Sequence, residues 1–114
     1  MSNLSQAAVL NSARKFVKAS TVSIVAAFDA VEEPRWNSFS ASLANAPGAD
    51  SFPIASFSWI YLRTAQPDSV RAAGMSDLLD WIYTEGQRSA VQEGYSALPS
   101  QLLAAARKKA KTMQ

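Results

Sequence analysis

Two pairs of acidic residues are the first candidates for chemistry in this chain: Glu32 with Glu33, and Asp77 with Asp80. Paired carboxylates act as general acid and base in many enzymes, or hold a divalent cation. Nothing near either pair orients it for such work, so we interpret both pairs as solvated helix surface. Metal binding by carboxylates alone stays open, but no motif supports it.

Nucleophilic catalysis is the next chemistry to consider, because serine is abundant. The sequence contains no Cys and no His, which excludes disulfides, thiolate nucleophiles, thiolate zinc sites and the commonest general base. A Ser nucleophile would then need a Lys or carboxylate base, and no spacing suggests one. We therefore predict that the protein is not an enzyme and expect no catalytic, cofactor-binding or metal-binding residue. Its ligand-binding residues stay unassigned.

Cationic side chains gather in the last eight residues, at Arg107, Lys108, Lys109 and Lys111. Without these four, seven basic residues face nine acidic ones, so the remainder carries a net charge of −2. We interpret the four cations as complements to the negative end of a helix, each worth about 0.3–1 kcal/mol. The alternative is a site for an anionic membrane or nucleic acid. No nucleic-acid partner is expected, because the positive charge is not spread over a face.

Three tryptophans and one arginine are the remaining candidates for ligand contact. Trp59 and Trp81 lie in apolar periodic segments, which predicts that both are core residues. Trp36 follows Glu-Glu-Pro-Arg in a predicted loop and is the tryptophan best suited to stack on a ligand. Arg63 ends a predicted strand and is a candidate for anion binding, but we interpret it as solvated.

The composition is that of a globular protein. Of the 114 residues, 48% are hydrophobic and 18% charged, which predicts one domain or a domain fragment over residues 1–114. No apolar run approaches the roughly 20 residues that span a bilayer, so no membrane insertion is expected. The start of the sequence lacks the basic and apolar blocks of a signal peptide. The protein is then cytoplasmic if expressed as it stands, unless a signal was removed or lies elsewhere in the gene.

Helix signals recur along the chain as helical composition, N-cap residues and terminating glycines. They predict four helices, over residues 4–13, 20–31, 67–85 and 99–113. A further turn or two of helix is predicted over residues 87–93. The third helix begins at Pro67 or Asp68, and Gly86 suits a C-cap or a kink. Two apolar faces are predicted, one of Leu78, Leu79, Ile82 and Tyr83, the other of Leu102, Leu103, Ala106, Ala110 and Met113.

Alternating side chains predict the strands. Residues 38–44 alternate between apolar residues and mostly Ser, as in a half-buried strand, and residues 55–63 carry bulky side chains on both faces. The segment between them, residues 45–53, contains two Pro and a Gly and is predicted to be a loop or crossover. The predicted fold class is α/β, with a small mixed sheet of two or three strands covered by about four helices.

Four segments carry a resemblance to a known family: residues 11–20 (NSARKFVKAS), 50–54 (DSFPI), 84–87 (TEGQ) and 94–99 (GYSALP). Their shared order and spacing resemble the C-terminal part of the periplasmic phosphate-binding protein of the bacterial ABC phosphate importer. The resemblance implies that the fold is part of a periplasmic-binding-protein lobe. It also implies that residues 45–54 resemble the hinge crossover between the two lobes.

Departures from the family pattern bear on the function. Arg14 stands where the family usually has Gly, which predicts that a backbone conformation with positive φ has changed there. Ala19 and Ala97 each replace a usual Pro, as in a diverged copy. The resemblance implies that the phosphate ligands are helix N-termini and an Arg, Asp and Ser-Gly-Thr cluster. These precede the resembling part, and this sequence has no Ser-Gly-Thr.

The predicted function is that of a truncated relative or C-terminal segment of a phosphate ABC-transporter substrate-binding protein. Such a chain would be non-enzymatic, would lack the family's phosphate ligands and would bind phosphate only weakly, if at all. The alternative is a standalone, oligomer-forming interaction module that has lost ligand binding. The expected partner is the chain itself, as a homodimer or domain swap, or the missing part of a larger binding protein. The resemblance implies a periplasmic location.

Overall fold

The computed structural model describes residues 4–32, 38–65 and 67–112. Within these residues it contains four α-helices and one two-stranded antiparallel sheet. The predicted class, a small α/β fold with two or three strands and about four helices, is confirmed. The chain divides into two units, Met1–Ser58 with Gly94–Ser96, and Trp59–Glu93 with Ala97–Gln114. The organisation of residues 1–114 as one domain or domain fragment, and the hinge-like role of residues 45–54, stay predictions.

The sheet in the first unit is a short hairpin of β1 (Val9–Leu10) and β2 (Phe16–Val17). Val9 lies opposite Val17, and Leu10 lies opposite Phe16. The predicted helix over 4–13 is therefore wrong. Helical composition was outweighed by a tight turn, in which the backbone N–H of Asn11 donates to the carbonyl oxygen of Lys15 at 2.9 Å.

The loop of this hairpin contains Arg14, which has a φ of +61°. A left-handed residue near the end of a short loop is a common way to close a hairpin. The prediction that the positive-φ conformation had changed at Arg14 is therefore wrong. The turn geometry requires this conformation, and the arginine adopts it despite its Cβ atom.

Helix α1 (Thr21–Asp29) begins where the Ser-Thr pair predicted. The Ser20 side chain accepts a hydrogen bond from the Ser23 backbone N–H at 3.1 Å, and the Ser23 hydroxyl accepts one from the Ser20 backbone N–H at 2.9 Å. This reciprocal pair satisfies two donors at the helix N-terminus. On the side of α1 that is buried, the Phe28 ring meets the Phe57 ring edge to face, with centroids 6.4 Å apart.

Neither segment predicted from alternation forms a strand. Residues 38–44 and 55–63 have no ladder hydrogen bonds and no regular secondary structure. The alternation in the first segment still describes burial, because Ala41 and Leu43 are buried while Ser42 is exposed. A strand also needs a ladder of backbone hydrogen bonds to a neighbouring segment, and the sheet formed by the described residues consists of β1 and β2. The strand predictions are therefore wrong.

The second unit contains three helices: α2 (Ser69–Ile82), α3 (Glu85–Gln92) and α4 (Ser100–Lys111). Helix α2 contacts both α3 and α4. It begins because the Asp68 carboxylate accepts from the backbone N–H of Val70 at 2.9 Å and of Arg71 at 3.4 Å. The helices predicted from Pro67 or Asp68 and from Pro99 are confirmed. Gly86, predicted to cap or kink α2, instead lies in the first turn of α3.

Burial within these helices follows the predicted faces only in part. Leu79 on α2 and Leu102 and Ala106 on α4 are buried, as predicted, but Leu78 is half exposed. Met113 lies outside the described residues. Trp59 and Trp81 are 44% and 51% exposed. The prediction that both are core residues is therefore wrong. No helix in the described part of the chain is long and apolar enough to cross a membrane.

Candidate functional site

Asn11 is a buried polar residue of the first unit, with 4% of its surface exposed, and its side chain makes five hydrogen bonds. Its Oδ1 atom accepts hydrogen bonds from the backbone N–H groups of Ala13 and Lys15, both at 3.0 Å, which holds the hairpin turn. Its Nδ2 atom donates across the chain to three backbone carbonyl oxygens, those of Gly48 (3.2 Å), Ala49 (2.9 Å) and Ser51 (3.1 Å). One side chain therefore ties the turn to the loop of residues 45–53.

The loop of residues 45–53 is shaped to meet this side chain. Ser51 is 1% exposed, and its hydroxyl donates to the carbonyl oxygen of Pro47 at 2.8 Å. Gly48 has a φ of +115°, and a Cβ atom placed on it would lie 2.8 Å from the Ser51 Oγ atom. Glycine is needed here both for its φ and for the space beside Ser51. The loop base closes where the Asn45 N–H donates to the Pro53 carbonyl at 2.8 Å.

Helix α1 joins the same arrangement through Ser23, which is also buried. The Ser23 hydroxyl donates to the carbonyl oxygen of Lys18 at 2.8 Å, and the Ser23 carbonyl accepts from the backbone N–H of Phe52 at 3.1 Å. Asn11, Ser23 and Ser51 are the buried polar residues of the described chain. We call these three residues the Asn11 cluster.

A second polar connection lies within the other unit, at Gln87 on α3. Its Nε2 atom donates to the carbonyl oxygen of Ile82, the last residue of α2, at 3.0 Å. Its Oε1 atom accepts from the backbone N–H of Leu98 at 2.9 Å, two residues before α4. The Gln87 amide thus links the end of α2 to the segment that leads into α4.

The Asn11 cluster has no donor left for a ligand. The Asn11 amide offers two N–H groups to three carbonyl oxygens, and the Ser23 and Ser51 hydroxyl groups each donate to a backbone carbonyl. No buried side-chain nitrogen or oxygen among the described residues lacks a hydrogen-bond partner. An anion site needs donors that point into open space. The cluster is therefore built to hold backbone segments together.

The acidic candidates in the described residues do not come together in one site. Glu32 and Asp77 are exposed, and Glu33 lies outside the described residues. Asp80 forms an ion pair with Arg107, with the Nη2 and Oδ1 atoms 3.4 Å apart, which connects α2 to α4. In the part of the chain that the structure describes, no group of three or more acidic, His or Cys side chains could hold a metal ion. Asp77 and Asp80 lie on the exposed surface of α2, as predicted, whereas Glu32 is exposed beyond the end of α1, so the prediction of helix surface is wrong for Glu32.

The cationic candidates lie where a helix C-terminus favours them. Lys108, Lys109 and Lys111 are in the last turn of α4, where positive charge complements the negative end of the helix. Arg63 is exposed. Trp36, the tryptophan predicted to be free for stacking, lies outside the described residues.

Two aromatic residues near the end of α2 have defined surroundings. A Cβ atom on Gly86 would lie 3.3 Å from the Trp81 ring, so glycine allows the start of α3 to approach this tryptophan closely. Burial raises the pKa of the Tyr83 hydroxyl above its usual value, so the phenol stays protonated at physiological pH.

Sequence reasoning assigned no role to Asn11, Ser51 or Gln87, although all three lie in the segments that carry the family resemblance. A signal for Asn11 was present, because asparagine side chains commonly cap tight turns through the backbone two residues on. No local signal marked its partners 37 to 40 positions away.

Comparison with known proteins shows a partial similarity to a phosphate-binding protein. No family model matches the chain. The chain is similar to the phosphate-binding protein PstS of Xylella fastidiosa (strain 9a5c), with 27% identity over 100 residues. The aligned region covers 88% of this chain and 28% of that protein, so the chain spans less than a third of the length of this relative. The similarity supports a resemblance to phosphate-binding proteins over part of their length. The relative is named as a binding protein rather than an enzyme.

Proposed function

We propose that this chain is a truncated relative or C-terminal segment of a phosphate ABC-transporter substrate-binding protein. In this proposal it is non-enzymatic and does not carry the family's phosphate ligands. The partial similarity to PstS supports the relationship. A periplasmic location and a place in phosphate transport belong to the same proposal, since both come from the resemblance.

The observation that carries the proposal is that the segments resembling the family form hydrogen bonds with one another. Residues 11–20 and 50–54 meet through the Asn11 amide and the carbonyl oxygen of Ser51, 3.1 Å apart. Residues 84–87 and 94–99 meet through Gln87 and Leu98, 2.9 Å apart. In both cases the resembling residues bind backbone groups of this chain. What the chain shares with the relative is thus proposed to be scaffold, with the phosphate ligands lying in other parts of such a protein.

Phosphate titration by isothermal calorimetry tests this proposal, with sulfate as a matched anion. We expect no dissociation constant below about 1 mM, which corresponds to about −4.1 kcal/mol. The described cations are exposed or already paired, and they attract an anion only weakly in water. A micromolar constant for phosphate, absent for sulfate, contradicts the proposal. An open reading frame that joins this chain to the missing ligand loops would favour the segment over a free-standing relative.

Catalysis is tested with the same preparation. Esterase, phosphatase and nuclease substrates should show no turnover, with or without added divalent metal, because the sequence has no His to act as a base and no Cys to act as a nucleophile. Turnover that survives purification and disappears with one Ser or Asp substitution contradicts the non-enzymatic assignment.

A second candidate function is the standalone, oligomer-forming interaction module. The observation that favours it is the exposure of two consecutive large apolar residues, Ile60 at 50% and Tyr61 at 88%. Soluble proteins seldom leave consecutive large apolar side chains in water without a partner. Light scattering at several protein concentrations distinguishes this module from a passive scaffold segment, because only the module should show a mass above that of one chain.

A further inference from the structure

One face of the β1–β2 hairpin carries two large apolar side chains in water. Neighbouring residues of a strand point to opposite faces, so the pair formed by Val9 and Val17 occupies one face and is half-buried. Leu10 and Phe16 lie opposite each other on the other face, where they are 52% and 74% exposed. We call Leu10 and Phe16 the hairpin pair.

Hydrogen bonds around the turn hold the hairpin pair in place. Between its two members, the Asn11 Oδ1 atom accepts from the Lys15 backbone N–H at 3.0 Å, and the Ser12 hydroxyl donates to the Ala46 carbonyl at 3.2 Å. The turn is thereby tied both to itself and to the loop of residues 45–53. Side chains on such a fixed support lose less conformational freedom when they bind a partner.

Three cationic side chains flank the hairpin pair. Arg14 and Lys15 directly precede Phe16, and Lys18 follows it by two residues. All three cations are exposed. The ion pairs formed among the described residues involve none of them. The face with the exposed Leu and Phe is therefore also a site of positive charge.

Acidic residues offset this charge only in part. Residues 1–28 contain none. Asp50 lies in the loop that Asn11 joins to the turn, so we count its carboxylate against the three cations, which leaves a charge of +2. Such a surface is complementary to a partner that is anionic outside and apolar beneath.

We propose that the hairpin pair and the three flanking cations bind the surface of an anionic lipid bilayer. Leu10 and Phe16 enter the boundary between the headgroups and the acyl chains, and the cations contact lipid phosphate groups. This mode of binding lies on the membrane and does not span it. The proposal rests on the hairpin alone and not on the relationship to phosphate-binding proteins.

The size of the apolar surface favours a bilayer over a protein partner. The two partly exposed side chains offer on the order of 200 Å², whereas stable protein interfaces bury about 1,200–2,000 Å² in total. Binding to a membrane surface needs only two weak signals together, such as an apolar group and a basic patch. Each Lys or Arg close to an anionic bilayer strengthens binding about fivefold, so the cations add to what the hairpin pair contributes.

Cosedimentation of the full chain with lipid vesicles tests the proposal. The vesicles contain phosphatidylcholine alone or with about 30 mol% phosphatidylglycerol. We expect binding to the anionic vesicles to be at least tenfold tighter, and to weaken at least tenfold between about 50 and 500 mM NaCl. Equal binding to both vesicles, or none at about 1 mM lipid, overturns the proposal. Tighter binding to a DNA duplex or to polyglutamate than to anionic vesicles also overturns it.

Two triple variants of equal charge locate the cations involved. One replaces the hairpin cations (Arg14→Gln, Lys15→Gln, Lys18→Gln), and the other replaces three cations at the end of α4 (Lys108→Gln, Lys109→Gln, Lys111→Gln). We expect the hairpin variant to bind anionic vesicles at least tenfold more weakly and the α4 variant to stay within threefold of the wild type. Equal losses, or a loss in the α4 variant alone, overturn the assignment to the hairpin.

The apolar contribution is tested in the same way. Phe16→Ala should weaken binding at least fivefold, whereas Tyr61→Ala, at an aromatic residue that is 88% exposed, should change it less than twofold. The chain has no native Cys, so a polarity-sensitive dye can be attached at Phe16→Cys or at Tyr61→Cys. On anionic vesicles the emission of the dye at position 16 should shift to the blue, and that at position 61 should not. A shift at both positions, at neither, or at 61 alone overturns the proposal.

Discussion

The Nδ2 atom of Asn11 donates to the carbonyl oxygen of Ser51 at 3.1 Å, across forty positions of the chain, and both residues are buried. This bond belongs to a set of five made by one side chain, which joins the hairpin turn to the loop of residues 45–53. Long-range ties of this kind fix the relative placement of segments that have little regular structure. The stability of the first unit should therefore depend heavily on Asn11.

Replacing Asn11 with Ala should destabilise the protein by about 2–4 kcal/mol. The change leaves two turn N–H groups and three loop carbonyl groups without their partner, and an unsatisfied buried polar group costs about 1–3 kcal/mol. Urea denaturation followed by circular dichroism measures the loss in the free energy of unfolding. Asn11→Asp should be similarly damaging, because a carboxylate cannot donate to the Ser51 carbonyl.

The matched control for this prediction is Ser12→Ala. The Ser12 side chain lies beside Asn11 in the turn but is exposed and makes one bond, from its hydroxyl to the Ala46 carbonyl at 3.2 Å. Loss of this hydrogen bond should lower the free energy of unfolding by less than about 1 kcal/mol. Equal losses at positions 11 and 12 would show that the Asn11 cluster does not carry the stability assigned to it.

Alanine substitutions at two glycines should have opposite effects. Gly48→Ala places a Cβ 2.8 Å from the buried Ser51 hydroxyl at a φ of +115°, and should destabilise by at least about 1–3 kcal/mol. Gly74 lies inside α2, and a Cβ atom added to it would have no contact within 4 Å, so Gly74→Ala should stabilise by about 0.5–1 kcal/mol. Thermal unfolding of the two variants shows whether each substitution raises or lowers the stability of the protein. A neutral Gly48→Ala contradicts the loop geometry.

Replacing Arg14 with Gly should stabilise the hairpin. A left-handed conformation costs an ordinary residue about 1–2 kcal/mol, and the extra unfolded-state entropy of glycine offsets about 0.5–1 kcal/mol of the gain. We expect a net increase between zero and about 1.5 kcal/mol in the free energy of unfolding. Arg14→Ala removes the same charge but keeps the Cβ atom, so it should give no such increase. If both variants behave alike, the charge and not the φ of +61° is responsible.

The Gln87 amide provides a comparable test in the second unit. Gln87→Ala removes both the donor to the Ile82 carbonyl and the acceptor for the Leu98 N–H, and should cost about 1–2 kcal/mol. Gln92 is exposed at the end of the same helix, so Gln92→Ala serves as the control and should be nearly neutral. Hydrogen exchange at Leu98 should accelerate in the first variant only. Unchanged protection there would contradict the link between α2 and the segment before α4.

Helices were predictable because their starting signals are local. Ser20 and Asp68 each satisfy backbone donors within three residues, so the cap and the helix it starts are visible in one short stretch. The buried face was harder to predict: Leu79 is buried and Leu78 half exposed, although both were placed on one apolar face. Which part of a face is covered depends on the elements that pack against it.

Strands were not predictable on the same grounds, because pairing requires a second segment. The alternation of residues 38–44 indicated burial correctly at Ala41 and Leu43, but no neighbour among the described residues supplies a ladder. The actual strands have two residues each and follow from a turn that Asn11 holds. The acceptors of that asparagine lie in a loop far along the chain, which no spacing rule could have connected to it.

We propose that the segments that resemble phosphate-binding proteins serve as scaffold in this chain. Phosphate titration of the ¹⁵N-labelled chain, followed by amide NMR spectra, tests it residue by residue. We predict that the amide signals of residues 11–20 and 50–54 stay in place, without saturating shifts, as phosphate rises to about 1 mM. Saturating shifts at micromolar phosphate, clustered on Asn11, Ser51 or Gly48 and absent with sulfate, would contradict it.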